Sequence, residues 1–133
     1  MAIRVVRLGA ARSPDEGLRL GTVRRPPRGV RKENYAGQDY FDVWLPELAP
    51  GAKLVSWALS TPFTDLRWAR YVKSYRREMR APDRRRLLEL LARLSHRTNF
   101  SVGCYCARED RCHRSILRAL LAEHGADLAP DRG

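Results

Sequence analysis

Lysine is nearly missing from this chain. Lys32, Lys53 and Lys73 are the only three, so arginine supplies 23 of the 26 positive charges, set against 15 acidic residues. The resulting net charge of +11 attracts phosphate-bearing partners and raises their local concentration. Because arginine carries almost all of it, the base-composition bias of a genome accounts for the charge as well as a nucleic-acid partner does. Long apolar runs are missing too. None approaches the ~20 residues that cross a bilayer, so no membrane partner is expected. The amino end, MAIRVVRLGAAR, is interrupted by Arg4 and Arg7. It lacks the ~7–15-residue apolar core of a secretory signal, and a cytoplasmic location is expected. There is no GxxxxGK phosphate loop, no GxSxG elbow, no HExxH and no glycine-rich dinucleotide turn. Repeats and linkers are absent as well, so residues 1–133 read as one domain, large enough to bury a core without staples.

Cysteine is scarce but concentrated. All three fall within nine positions, in GCYCAREDRCHRSIL, Gly103 to Leu117. Three cysteines cannot all pair. In a reducing compartment such a cluster points to metal or to thiol chemistry more than to disulfides.

The elements around that segment follow from pattern. Ile3–Leu8 and Leu18–Arg24 are short, partly alternating runs that predict strands. Residues 9–17, with Gly9, Pro14 and Gly17, predict a loop. Arg24–Lys32 (RRPPRGVRK) is a second, basic loop, since its two prolines cannot donate to a ladder or continue a helix. It reads either as a solvated surface or as a clamp for an anion. Tyr40–Pro50 predicts a short strand or irregular segment, and Lys53–Leu59 a short helix. Asp65–Arg80 is the clearest helix, capped by Thr64, with Trp68, Val72, Tyr75 and Met79 on one buried face. Arg70, Lys73, Arg77 and Arg80 face outward. Pro82 opens a further helix to about Ser95, with Leu87, Leu88, Leu91 and Leu94 as its apolar seam. His96 ends it without an assigned role. Phe100–Cys106 predicts a strand that places Cys104 and Cys106 on one face. A polar loop follows, then a helix over Cys112–His124 with Gly125 as its left-handed C′ residue. Residues 127–133 are expected to fray. The whole reads as a small α/β domain, a three-layer-like sheet flanked by helices, ending in a strand–loop–helix unit.

Three chemistries compete for the cysteine segment. Cys104, Cys106, Cys112 and His113 would make a Cys₃His zinc shell. Against it, residues 104 and 106 of one extended strand lie about 6.5–7 Å apart. Thiolates sharing a zinc at ~2.3 Å bonds must come closer, unless the chain turns at Tyr105. The second chemistry is a reactive thiol. At the start of a helix, Cys112 meets bare amides and the positive end of the dipole, and Arg111 and Arg114 flank it; all favour a thiolate. His113 would carry protons. Arg114, Arg111 and Ser115, with Arg25 and Arg28 from the basic loop, would hold a phosphate-like anion. The phosphatase signature, cysteine plus five residues plus arginine, is absent: the sixth residue after Cys106 is Cys112, and after Cys104 it is Asp110. Glu109 is a further pocket candidate, and Asp110 is expected to cap the helix. The third reading makes Cys104 and Cys106 small core residues of a strand.

Taken together, these blocks resemble a known family. The CHR at Cys112–Arg114, set after a short strand and an acidic loop, looks like the signature of the DUF488 family of small bacterial proteins. TVRRPPRGVRK, DVWLPELAP, WARYVKSYRREM and GCYCAREDRCHRSIL are similar to blocks of one subgroup, distantly like the YeaO-type proteins. The resemblance implies a compact cytoplasmic α/β domain with Cys112, His113 and Arg114 at a strand–helix junction. It matches the upstream family cysteine to Cys104 or Cys106, with the more usual spacing at Cys104. Where many relatives have an acidic pair, this chain has Ala107 and Arg108, and only Glu109 remains. The expected function is therefore an anion-binding domain with a thiol pocket and a small anionic ligand. A basic nucleic-acid module and a zinc-stabilised scaffold are the alternatives. No cofactor is expected outside the zinc case.

Overall fold

The computed structural model describes residues 1–130. Its strands are β1 (Ile3–Arg7), β2 (Leu18–Gly21), β3 (Val43–Trp44) and β4 (Phe100–Cys104), and its helices α1 (Ala52–Ser60), α2 (Asp65–Glu78), α3 (Pro82–Leu94) and α4 (His113–Glu123). The strands form one parallel sheet in the order β1-β4-β2-β3. The last strand in sequence is thus central, paired along its length with β1 and β2. This is a small α/β domain, as the element pattern predicts. Among the described residues no helix is long and apolar enough to cross a membrane.

The helices share one core with the sheet. Ile3, Leu20, Phe100 and Val102 meet Tyr71 and Tyr75 of α2, Leu88 and Leu91 of α3, and Ile116, Leu117, Leu120 and Leu121 of α4. Thr64 caps α2 as predicted, its Oγ1 accepting the Arg67 N–H at 3.1 Å. Tyr71, outside the expected seam, is buried because it stacks on Trp68 and meets Phe63 edge-on. Trp68 and Val72 are only half-buried, and Leu94 is 38% exposed at the end of α3. His96 donates from Nε2 to the carbonyl of Gly125, tying α3 to the end of α4. Gly125 has φ +86°, the left-handed C′ conformation the sequence predicts.

The opposite face of the sheet is covered by loops. Arg19, 1% exposed, pairs with Glu16 (2.7 Å) and donates to the carbonyls of Ala10 and Asp39. Glu16 also accepts from Ser101 of β4 at 2.6 Å. Burial raises the Glu16 carboxyl, but the bonds from Arg19 and Ser101 outweigh it and hold it below its ordinary value. Beside them Phe41 lies on Gly21, where any Cβ would overlap its ring.

Residues 127–129 do not fray. Ile3 donates to Asp127 O and accepts from the Ala129 N–H, both at 2.8 Å, and Leu128 bridges to Ile3. An edge strand has unpaired backbone groups, and this segment takes up those of Ile3. Asp131, Arg132 and Gly133 lie outside the described residues.

Candidate functional site

The central strand ends sooner than its sequence suggests. β4 stops at Cys104, the chain bends at Tyr105, and Cys106 folds back instead of extending the strand. Three bonds fix the bend. Cys106 N–H points at Cys104 Sγ (3.4 Å), Tyr105 O accepts from Arg7 Nε (3.2 Å), and the Tyr105 hydroxyl donates to Arg25 O (2.9 Å). The last of these pins the basic loop to the rim of the site. After a single 3-10 turn at Glu109–Arg111, Cys112 becomes the N-cap of α4 in extended conformation.

The outcome is a three-sulfur cluster. The Sγ atoms of Cys104, Cys106 and Cys112 all lie within 4.8 Å of one another. The extended-strand objection to a shared metal therefore disappears, because the turn at Tyr105 is present. These three residues could hold a metal ion. Cys104 and Cys112 are each 2% exposed, whereas Cys106 is exposed. The cluster sits at the carboxyl end of β4, the end of a parallel sheet where ligand sites form.

His113 and Arg114 are buried beside the sulfurs. His113 Nε2 lies 2.6 Å from Thr22 O; a carbonyl only accepts, so Nε2 carries the proton. That leaves Nδ1 bare toward Cys112 Sγ at 3.8 Å. Burial pushes the imidazole down to about 4, so it is neutral near pH 7. The Tyr75 ring meets it edge-on at 5.6 Å. Arg114 is 4% exposed and donates from Nη2 to Cys106 O at 2.6 Å. Its Nε–H is buried with no partner, and no carboxylate pairs with it among the described residues. A buried guanidinium needs compensating negative charge, and the neighbouring sulfurs are its source.

That charge settles on Cys106. Hydrogen bonds from the Cys104 and Cys112 thiols hold the Cys106 thiol well below its ordinary value; they outweigh burial, and the charge on Arg114 adds to them. Cys104 is pushed far up by its bonds to Cys106 and Cys112 and by burial. For Cys112 the bond with Cys104 lowers the thiol, yet the bond to Cys106 and burial win and leave it raised, at about 11. The low thiol expected at Cys112 is thus found at Cys106. The helix start does lie beside Cys112, but two sulfurs and an apolar wall of Leu8, Val23 and Phe41 outweigh it.

The remaining predicted residues divide. Ser115 stays local, its hydroxyl donating to Cys112 O at 3.0 Å. Arg111 turns away to Asp65 (2.7 Å) and the Trp68 ring, and so does not join the anion candidates around the sulfurs. Glu109 holds Arg118 through both oxygens, not His113 or Arg114. Asp110 pairs with Arg108 and does not cap α4. Arg25 and Arg28 are exposed, Arg25 next to Tyr105. Arg24 is spent on the carbonyls of Pro46, Ala49 and Pro50. Arg70, Lys73 and Arg77 stay in solvent on the outer face of α2. Thr22 carries no sequence signal for this role. Its contribution is a backbone carbonyl, which side-chain chemistry does not signal.

Strand end, bend, thiol cluster and buried guanidinium define a small parallel α/β domain with three clustered cysteines at the β4–α4 junction. The chain belongs to the DUF488-N3a family, described as the active DUF488-N3 subclade, whose model matches residues 3–125. No curated protein and no solved structure matches it significantly.

Proposed function

We propose that the protein binds a small phosphate-like anion at the β4–α4 junction and presents the Cys106 thiolate to it. Arg114 anchors the anion through the Nε–H that has no partner among the described residues. Cys106 is the exposed sulfur and the reactive one, and Cys104 and Cys112 hold its charge through their thiols. Neutral His113 keeps Cys112 in place and is the nearest proton carrier. Arg25 stands on the rim, on the loop fastened by Tyr105. The observation that carries this reading is the buried, carboxylate-free Arg114 beside three sulfurs. A nucleic-acid module would rest on the exposed cations of α2 and the basic loop, and would leave that buried group unused.

The test is alkylation of the reduced protein with iodoacetamide, mapped by peptide. Cys106 is expected to react first and to keep reacting near pH 6, where an ordinary thiol is about a hundredfold less ionised than at its pKa of about 8.5. Inorganic phosphate is expected to slow it, relative to chloride of equal ionic strength. Arg114→Gln removes the protection, while Arg111→Gln leaves it intact because Arg111 faces Asp65. No phosphate protection in the wild-type protein sinks the anion reading.

The approach of three sulfurs within 4.8 Å favours a second reading, a thiolate metal site with zinc as the occupant. His113 is not in the set of ligand atoms within 4.8 Å of one another, although its bare Nδ1 lies 3.8 Å from Cys112 Sγ and its Nε2 is held by Thr22 O. Stoichiometric zinc in protein purified without chelator supports this reading; its absence removes it.

A further inference from the structure

The cluster brings the sulfur of an exposed residue, Cys106, within 4.8 Å of those of two buried ones, Cys104 and Cys112. Two thiols within 4.8 Å and differing this much in exposure suit a two-step oxidation: the open sulfur meets the oxidant, and a sheltered one follows. We propose that the site reduces hydroperoxides, with Cys106 attacking the peroxide and Cys112 closing a disulfide onto it.

The chemistry balances. The Cys106 thiolate attacks the terminal oxygen of a hydroperoxide and the O–O bond breaks. Cys106 becomes a sulfenic acid, and the departing alkoxide takes up a proton and leaves as the alcohol, or as water when the oxidant is hydrogen peroxide. The Cys112 thiol then attacks the sulfenic sulfur. An S–S bond forms, and the hydroxyl leaves as water with the thiol proton. Two thiols lose two electrons and the peroxide gains two. Arg114, whose Nη2 donates to Cys106 O at 2.6 Å and whose Nε–H has no partner among the described residues, is at hand to donate to the departing oxygen.

Geometry selects Cys112 over Cys104 as the second thiol. Cys104 is locked in the central strand: it pairs with Arg7, and its carbonyl accepts from Leu8 N–H at 2.8 Å. Its bridge to Cys106 would also have to close across a single residue. Between Cys106 and Cys112 runs a five-residue polar loop with no buried residue, which can yield to the ~3.8 Å Cβ separation of a disulfide. Bare Nδ1 of His113 faces Cys112 Sγ and can take its proton during the attack.

This inference rests on the proposed role of Cys106 as the open, reactive sulfur, but not on any bound anion. The reduced protein, as purified, receives one equivalent of hydrogen peroxide, is blocked with iodoacetamide and is digested with trypsin without reduction. Cleavage after Arg108 and Arg111 separates the two candidate disulfides: a Cys106–Cys112 bond links peptide Thr98–Arg108 to Cys112–Arg114, whereas a Cys104–Cys106 bond stays inside one peptide. The expected result is the linked pair, loss of two hydrogens, Cys104 blocked by iodoacetamide, and a rate at least about tenfold above that of free cysteine. The mapping uses wild-type protein, so it does not require any variant to fold. Cys104→Ser is expected to keep the link. Cys112→Ser is expected to halt at a sulfenic acid on Cys106 that a cyclic diketone traps. An internal Cys104–Cys106 disulfide, first oxidation at Cys112, a rate like that of free cysteine, or a bound metal that shields all three thiols overturns the proposal. The phosphate-protection experiment decides the anion reading separately, so the two can fail independently.

Discussion

At the scale of single residues, the site depends on which of three adjacent sulfurs carries the charge. Sequence narrowed the choice to Cys104, Cys106 and Cys112 and put His113 and Arg114 beside them. It favoured Cys112 because a helix start is the strongest local electrostatic feature visible in one dimension. What reverses the order is a contact between sulfurs two and six residues apart, which exists only once the chain turns at Tyr105. His113 gives a direct check on this environment. Its folded value is about 4 against 6.5 for a free imidazole. Between those values the unfolded chain binds a proton that the folded protein excludes. Stability is therefore fully present above about pH 6.5 and falls as the pH drops toward 4, by roughly 3 kcal/mol at most. Thermal unfolding followed from pH 7 to pH 4.5 is expected to show this loss, and His113→Gln is expected to flatten it. An unchanged slope in the variant would place the imidazole in contact with water.

At the scale of elements, periodicity served the helices better than the strands. The start of α2 at Asp65 and of α3 at Pro82 match their sequence signals, because a cap and a proline act locally. β4 was overextended by two residues, since alternation in FSVGCYC continues past the point where pairing stops. The loops on the second face are legible in sequence as loops, but not as a layer. Nothing local marks Arg19 as buried when 22 other arginines surround it in composition. Gly103 shows how tightly the central strand is held: a Cβ there would lie 2.6 Å from Val6 O and 2.9 Å from Leu8 Cδ2. Because the nearest of these atoms is backbone, β1 and β4 must separate to admit a methyl group. Gly103→Ala is expected to destabilise the domain by about 1–3 kcal/mol, measured as a lower urea midpoint at unchanged slope, and to disturb the adjacent Cys104.

At the scale of the whole molecule, fold class was readable because strands and helices come in an order that only a mixed α/β layer accommodates. Strand order was not readable, because parallel neighbours are chosen by packing of distant segments. That order has a consequence for a chain emerging from the ribosome. β1 and β2 are made first, but neither pairs with the other; until β4 is made β1 has no strand partner and β2 has only the two-residue β3. A nascent chain that has reached only Arg97 holds the two flanking strands with a vacancy between them. Its α1–α3 helices then have no continuous sheet to dock on. The fragment 1–97 is accordingly expected to show no cooperative thermal transition, and a stalled chain of that length to be open to protease. The strand that completes the sheet also places Cys104 and leads into Cys106 and Cys112, so the three-sulfur cluster is assembled only as the sheet closes.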